Sequence, residues 1–357
     1  MMAKNRVTIK DIAKAADVTP ATVSMALKDH PRISRDTQKK IQRIAKKMGY
    51  QPNFLARALV NKKSFTIGVT VPNVTDSFYA ELLQSLEDGA SELGFHTIHC
   101  STKNILAKEK SDIDLLRNRG VDGFIIASTE NEDPNIKSII DDDFPLVMVN
   151  RRLTGKPYCD IADYVVPDNL LGANMAMEHL YRLGHRRIGV ITGLLNTSTG
   201  KERTEGAKRF LKTNGIRVES KLFVNGGWNK EIAYSATNKL LKLSDKPTAI
   251  FATSDEMALA AREAILDTGL NISSDIALIG FDNITTAQYK GIDLSTVGIK
   301  TYEMGKAAIK ILIENIERKT SPMINKVTMK PELFIRQTCG FQDHEYEPEK
   351  SIGTKMK

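Results

Sequence analysis

The sequence predicts a chain in two parts: an N-terminal all-α helix-turn-helix head with a hinge helix, then an α/β core of two lobes built on parallel sheets. Three observations lead there. The first sixty residues hold short amphipathic patterns separated by turn signals, and from Phe65 onward short apolar runs alternate with helical patterns. The charge is also unevenly placed. Residues 1–63 carry 15 Lys+Arg against 4 Asp, or +11, whereas the whole chain is +8 and residues 64–357 therefore sum to −3. A cationic module joined to a mildly acidic body points to a polyanion partner at one end and a different task at the other.

In the head, Thr8 can cap a helix in which Ile9, Ile12, Ala13 and Ala16 share an apolar face. Asp17-Val18 makes a turn. Thr19-Pro20 then starts a second helix, with the hydroxyl at the N-cap and proline where a missing N–H costs nothing; Val23, Ala26 and Leu27 face inward from it. Ser34 caps a third helix with Ile41, Ile44, Ala45 and Met48 inward and Gly49 at its end. This arrangement delivers the start of the second helix to base edges. There Thr22 and Ser24 offer hydroxyls to phosphates, while Pro20, Ala21 and Met25 offer apolar surface to thymine methyls. Thr8, Thr19, Lys28, Arg32, Ser34 and Thr37 complete the candidate DNA-contacting set within the head. Pro52 and Asn53 would start a fourth helix of about two turns, too short to be stable alone in water. It reads either as a linker or as a segment that folds on DNA, with Leu59 wedged into the minor groove and Ala56 and Arg57 beside it.

In the body, Phe65–Val71 reads as a buried strand and Ser77–Leu93 as an amphipathic helix ending at Gly94; further strands are expected at 96–101, 123–127 and 145–149. The pattern restarts at Leu183, with strands near 187–192, 221–225, 248–252 and 275–281. The Ile-Gly-Val runs at 67–69 and 188–190 are an internal echo. Two similar sheets facing one another create a ligand cleft between the carboxyl ends of their strands. The residues there are polar: Asn150-Arg151, Ser254-Asp255 and Asp282-Asn283 follow strands, Arg203 opens a helix, and Trp228 is the only tryptophan. A carboxylate, a guanidinium and an indole together suit a polyhydroxylated ring. Asp255 reads equally well as a plain helix cap, and Phe78 and Tyr79 as packing residues. The expected borders are a head over 1–52, a hinge and linker over 53–63, a core over 64–340 and a loose tail over 341–357. One lobe takes about 64–166 plus 296–325, the other about 167–295 plus 326–340.

The runs Val7-Thr8-Ile9-Lys10-Asp11-Ile12-Ala13, Val18-Thr19-Pro20-Ala21-Thr22-Val23-Ser24, Gly49-Tyr50-Gln51-Pro52-Asn53 and Ala56-Arg57-Ala58-Leu59 closely resemble the lactose-repressor (LacI/GalR) family of bacterial transcription regulators. The resemblance extends to about Gly340. It implies a periplasmic-binding-protein-like core, a hinge helix over Asn53–Leu59 that pries open a pseudo-palindromic operator in a dimer, and effector positions at Phe78, Tyr79, Asn150, Arg203, Trp228, Ser254 and Asp282. Three positions depart from the pattern. Met25 stands where many members carry a guanine-reading Arg, and Asn150 and Ser254 where relatives often have Asp and Asn.

The expectation is a cytoplasmic, homodimeric, effector-controlled DNA-binding regulator, acting as a repressor and sensing a sugar or sugar derivative, with a purine as the alternative ligand. No cofactor, metal or membrane is expected. Cys100, Cys159 and Cys339 lack CxxC spacing, which argues against structural zinc and a disulfide framework. No signal-peptide pattern opens the chain, and no apolar run approaches the roughly 18 residues that span a bilayer. A solute receptor of the same fold would need an export signal and no helix-turn-helix. An enzyme would need a paired acid and base, and no Walker A, Rossmann GxGxxG, Gly-x-Ser-x-Gly or HExxH motif is present. His96 and His99 read as neighbours on one strand face, as packing or surface residues, and His179 and His185 as structural groups at a helix end. No heptad extension argues for a tetramer.

Overall fold

The computed structural model describes residues 7–50, 63–318 and 324–340. The chain forms two compact units that divide between Ser64 and Phe65. The hinge candidates Asn53, Ala56, Arg57 and Leu59 and the tail over 341–357 lie outside the described residues.

The head contains α1 (Ile9–Ala16), α2 (Pro20–Ala26) and α3 (Arg35–Lys47). Each begins at a hydroxyl residue that accepts a backbone N–H from three positions on: Asp11 to Thr8, Thr22 to Thr19 and Thr37 to Ser34. At α1 the Asp11 carboxylate takes the Thr8 N–H in return at 2.8 Å, closing a capping box. Ile12, Ala13, Ala16, Val23, Ala26, Ile41 and Ala45 are buried together, with Ile9, Leu27, Ile44 and Met48 packed partly against them. A module of this size has little apolar surface to hide, so losing a cap of about 1 kcal/mol matters.

The core has two six-stranded sheets. The first comprises β1 (Thr66–Val71), β2 (His96–Ser101), β3 (Gly123–Ile126), β4 (Leu146–Val149), β5 (Asp163–Pro167) and β11 (Lys326–Met329), in the order β2-β1-β3-β4-β5-β11 and all parallel. The second comprises β6 (Ile188–Thr192), β7 (Phe223–Asn225), β8 (Ala249–Ala252), β9 (Ala277–Asp282), β10 (Ser295–Gly298) and β12 (Glu332–Phe334). Its order is β7-β6-β8-β9-β10-β12, with only β12 antiparallel. The orders match strand for strand. The two Ile-Gly-Val runs occupy equivalent strands, β1 and β6, each second from its edge. Central strands such as β3, β4 and β8 are buried at every residue, because helices cover both faces.

The chain passes between lobes three times, after β5, after β10 and after β11. The sequence expectation placed two of these passages wrongly. Thr296, Val297 and Gly298 pair with Gly280, Phe281 and Asp282, so β10 belongs to the second lobe rather than the first. Lys326–Met329 pairs with Tyr164–Pro167, so β11 belongs to the first lobe rather than the second. α12 (Thr301–Glu317) lies between them and packs along α4 (Ser77–Glu92) in the first lobe. A Cβ at Gly305 would lie 1.8 Å from Ser85 Oγ, so that close approach needs glycine. The histidine reading also changes. His99 bonds Thr97 on its own strand face at 2.8 Å, and strand alternation puts His96 on the opposite face. Among the described residues no helix is long and apolar enough to cross a membrane, and no cluster of three His, Cys, Asp or Glu could hold a metal ion.

α8 (Asn169–Arg182) carries His179, whose Nε2 lies 3.2 Å from Cys339 Sγ in the turn Gln337–Cys339. Burial, with the charges of His185 and Arg182, pushes the imidazole down to about 4. It is neutral in the fold, and the unfolded chain takes the proton first, near pH 6.5. Its stabilising effect is therefore intact above about pH 6.5 and is lost as the pH falls through about 4, by at most about 3 kcal/mol. In urea titrations, the native chain should lose more stability over that interval than His179→Gln; parallel pH curves would refute this.

Candidate functional site

On the head, the face of α2 away from the small core is formed by Pro20, Ala21, Ser24 and Met25, with Lys28 just beyond the helix. Pro20, Ala21 and Lys28 are exposed; Thr22, Ser24 and Met25 are partly buried. Thr22 Oγ1 lies 2.9 Å from Thr19 Oγ1, and Ser34 Oγ lies 2.8 Å from Thr37 Oγ1. The structure therefore gives Thr8, Thr19 and Ser34 capping duties, and Thr22 and Thr37 are paired to two of those caps. All remain at helix N-termini, where free N–H groups and the helix dipole favour phosphate oxygens. Lys28 and Arg32 are exposed cations in the connection between α2 and α3.

In the core, all seven cleft candidates line one cavity: Phe78, Tyr79 and Asn150 from the first lobe, and Arg203, Trp228, Ser254 and Asp282 from the second. It sits where β1, β4, β8 and β9 end, at the carboxyl edges of both sheets. Arg203, on α9 (Ser198–Thr213), is 2% exposed and tightly held. Its Nη1 donates to Asp282 Oδ1 at 2.9 Å and to the Thr253 carbonyl at 2.7 Å; its Nε donates to Asn169 Oδ1 at 2.9 Å. The guanidinium stacks 3.6 Å from the Phe281 ring centroid. Burial pushes the Asp282 carboxyl up to about 6 even with Arg203 beside it.

The backbone at the cavity is unusual. Asn150, Trp228 and Asp282 have φ of 63°, 55° and 119°, a left-handed region that side chains seldom adopt. Such conformations persist only where surrounding contacts over-determine them, and they cluster at functional positions. Gly193 makes one of them possible: a Cβ there would lie 2.0 Å from Trp228 Cζ2. Among the described residues neither the buried indole Nε1 nor the buried Asn150 Oδ1 has a hydrogen-bond partner, so each can bond a ligand. Asn150 Nδ2 donates to the Tyr79 hydroxyl at 3.2 Å, and Phe78 and Tyr79 meet edge to face at 5.1 Å.

The sequence reading did not include Asp76, Glu256 or Gly193, and it noted Arg151 only as a residue at a strand end. Asp76 caps α4 and lines the cavity; burial and the nearby Asp282 and Glu256 charges push its carboxyl up to about 7. Its position before an amphipathic helix gave a capping signal and nothing more. Glu256 reaches across the cleft, accepting from Ser77 Oγ at 3.0 Å while paired with Lys230 at 3.0 Å. Asp255 proves to be neither ligand group nor cap. Ser254 caps α11 (Asp255–Asp267), and the fully buried Asp255 accepts from Thr296 Oγ1 at 2.5 Å and from the Ile284 N–H at 2.9 Å, bracing the turn after β9.

Other bonds join the lobes. Asn131 N–H donates to the Asn196 carbonyl at 2.7 Å, and Arg152 Nη2 to Glu202 Oε1 at 2.7 Å. Glu202 Oε2 also accepts from Asn169 Nδ2 at 2.9 Å, and Asn169 in turn accepts from Arg203.

Comparison with known proteins fits both units. Residues 8–53 match the family "Bacterial regulatory proteins, lacI family". Residues 64–337 match "Periplasmic binding proteins and sugar binding domain of LacI family". The chain belongs to the LacI family of DNA-binding transcriptional regulators. Its relatives include the HTH-type transcriptional regulator DegA of Bacillus subtilis (strain 168), 33% identical over 93% of this chain and 98% of that one. Another is the HTH-type transcriptional repressor PurR of Actinobacillus pleuropneumoniae serotype 3 (strain JL03), 30% identical with the same coverages. Among solved structures, the complex of the transcriptional regulator CelR with cellobiose is 26% identical, covers 93% of this chain and 100% of that one, and superposes with a TM-score of 0.71. The Lac repressor dimer bound to operator and the anti-inducer ONPF shares the fold, with a TM-score of 0.82 at 23% identity over 94% of this chain and 99% of that one.

Because Trp228 is the only tryptophan, its emission reports on the cavity alone. Gly193→Ala should force the indole out toward water and shift that emission to the red, without ligand and with the far-ultraviolet circular dichroism unchanged. An unshifted spectrum would show that Gly193 does not set the position of the indole.

Proposed function

We propose that this regulator binds its operator as a homodimer, acts as a repressor, and is controlled by a sugar or sugar derivative held between the two lobes. The observation that carries this reading is the cavity itself. It sets a buried Arg203–Asp282 pair, able to bond vicinal hydroxyls, beside an indole face held in a strained backbone. A purine is the second reading, favoured by the PurR relatives and by the Phe78–Tyr79 aromatic pair, which could flank a planar base.

The coupling follows from energetics. Phosphate contacts by the cationic head give affinity that falls steeply with salt and carries little sequence information. Specificity comes from the face of α2 together with opening of the minor groove by the hinge at Leu59. A ligand that binds one lobe arrangement better shifts the lobes, and with them the spacing of paired hinges. Arg203 is suited to pass this on, since its bond to Asn169 leads to Glu202 and so to Arg152 of the other lobe.

A thermal-shift screen of sugars, sugar phosphates and purines separates the two readings. A ligand at about 100 times its Kd should add roughly 2.7 kcal/mol of stability. With the ligand so found, Asp282→Asn and Arg203→Ala should still shift operator DNA in a gel but need at least about tenfold more ligand to respond, the cost of one charge-assisted hydrogen bond. A normal response from either would misplace the site. Leu59→Ala should retain binding to nonspecific duplex and lose discrimination for operator; an equal loss of both in a salt titration would contradict the wedge role.

A further inference from the structure

The two guanidinium groups facing the cavity are neutralised very differently. Arg203 has the Asp282 carboxylate at 2.9 Å. Arg151, which follows β4 directly, is equally buried at 2% exposure and also lines the cavity, yet it has no ion-pair partner among the described residues. Its Nη1 donates only to neutral acceptors, Asn104 Oδ1 at 2.7 Å and the Ser128 carbonyl at 3.5 Å, and its Nε has no partner. A guanidinium cannot discard its proton, and an uncompensated buried charge costs several kcal/mol. The Trp228 ring lies 6.0 Å from this guanidinium, and its Nε1 is a second buried donor without an acceptor. The Trp228 ring stands between the two guanidinium groups, 5.9 Å from Arg203, so the cavity presents an unpaired cation from the first lobe and an unpaired N–H from the second, both able to take oxygen.

Resting on the reading of the cleft as the effector site, we propose that the ligand is an oxyanion-bearing sugar, its carboxylate or phosphate seated at Arg151 and the Trp228 N–H and its hydroxyls at Arg203 and Asp282. Uronic acids and sugar phosphates share this chemistry. An added oxyanion supplies the counter-charge that Arg151 lacks, and bidentate pairing with a planar guanidinium makes it the strongest contact available in the site. Asp76, a first-lobe acid whose charge interacts with that of Arg151, is pushed by burial up to about 7, so near neutral pH it balances Arg151 only in part and opposes an anion only weakly.

The test is titration calorimetry on the full chain with matched probes: glucose, glucuronate and glucose 6-phosphate, the corresponding galactose series, inorganic phosphate and acetate. At least one acidic sugar should bind about tenfold or more tighter than its neutral parent, the worth of one charge-assisted bond. Whether the carboxylate or the phosphate arm wins identifies the source. Arg151→Gln should bring that ratio to within about threefold, and Arg151→Lys, which keeps the charge without the fork, should fall between. A neutral sugar binding as tightly as its acidic forms overturns the proposal and leaves the sugar reading standing. Phosphate or acetate binding with no sugar of either kind removes the sugar reading and leaves the anion subsite standing. Failure of every oxyanion to bind overturns the proposal outright, even if Arg151→Gln cannot be made in folded form.

Discussion

A buried guanidinium must be surrounded by acceptors, and the core is organised around one that is. Arg203 is held by a carboxylate from β9, a carbonyl following β8 and an amide from α8, so three separate elements are fixed relative to one side chain. Strands β8 and β9 are neighbours in the second sheet, and their carboxyl ends converge because parallel strands all finish on the same edge. The fold thus provides the convergence, and the charge makes it specific. Removing one partner leaves the other buried and unpaired, which typically costs 3–5 kcal/mol.

The cavity is also where the backbone departs from ordinary geometry. Left-handed residues at the ends of strands turn the chain sharply and aim a side chain back over the sheet edge, and Asn150 and Asp282 do this in the two lobes. Trp228 is the extreme case, since a bulky residue with positive φ needs compensation. Gly193 supplies the space for its ring from the loop after β6. Strain and close approach meet at one indole, so its orientation is fixed by the scaffold before any ligand arrives. Preorganisation of this kind lowers the ordering cost of binding.

Much of this was legible in the sequence because each signal was local. Hydroxyls before helices, apolar runs and helical periodicity located the head helices and the strands β1–β4 and β6–β9 to within about two residues. Strand ends marked the cleft, since ligands of open parallel sheets bind outside the carboxyl ends of the strands. The strands passed over lacked such signals. β11 alternates exposed and half-buried positions at a sheet edge, and β12 is three residues long. Neither resembles a buried run; β5 and β10 are buried but were passed over too, each short and closed by Pro167 or Gly298, and the lobe crossings beside β10 and β11 were misplaced. Asp76, Glu256 and Gly193 were missed for a different reason. Their roles depend on what lies across the cleft or against them, and no spacing along the chain encodes that. Asp255 shows the converse: a strand-end carboxylate adjacent to the cleft turned inward, because Thr296 and the Ile284 N–H offered it bonds the cavity did not.

The bonds between lobes set a scale for what a ligand must do. Turning a two-state equilibrium from about 1:99 to 99:1 requires about 5.5 kcal/mol of differential binding. A hydrogen bond to a charged group contributes about 1.5–3 kcal/mol, so about two to four such contacts, present in one lobe arrangement and absent in the other, are enough. The Arg152–Glu202 pair and the Ser77–Glu256 bond are interactions of that kind, made between lobes. Both are anchored on acids whose other oxygen is already engaged within the second lobe, Glu202 by Asn169 and Glu256 by Lys230. The first-lobe residues therefore dock onto charges already oriented to receive them, and little side-chain entropy is lost on closure. A ligand spanning Arg203 and the first-lobe wall need only add its own contacts to this framework. On the proposed function, the site of control lies at the interface between the lobes, since contacts confined to one lobe are the same in both arrangements and shift nothing.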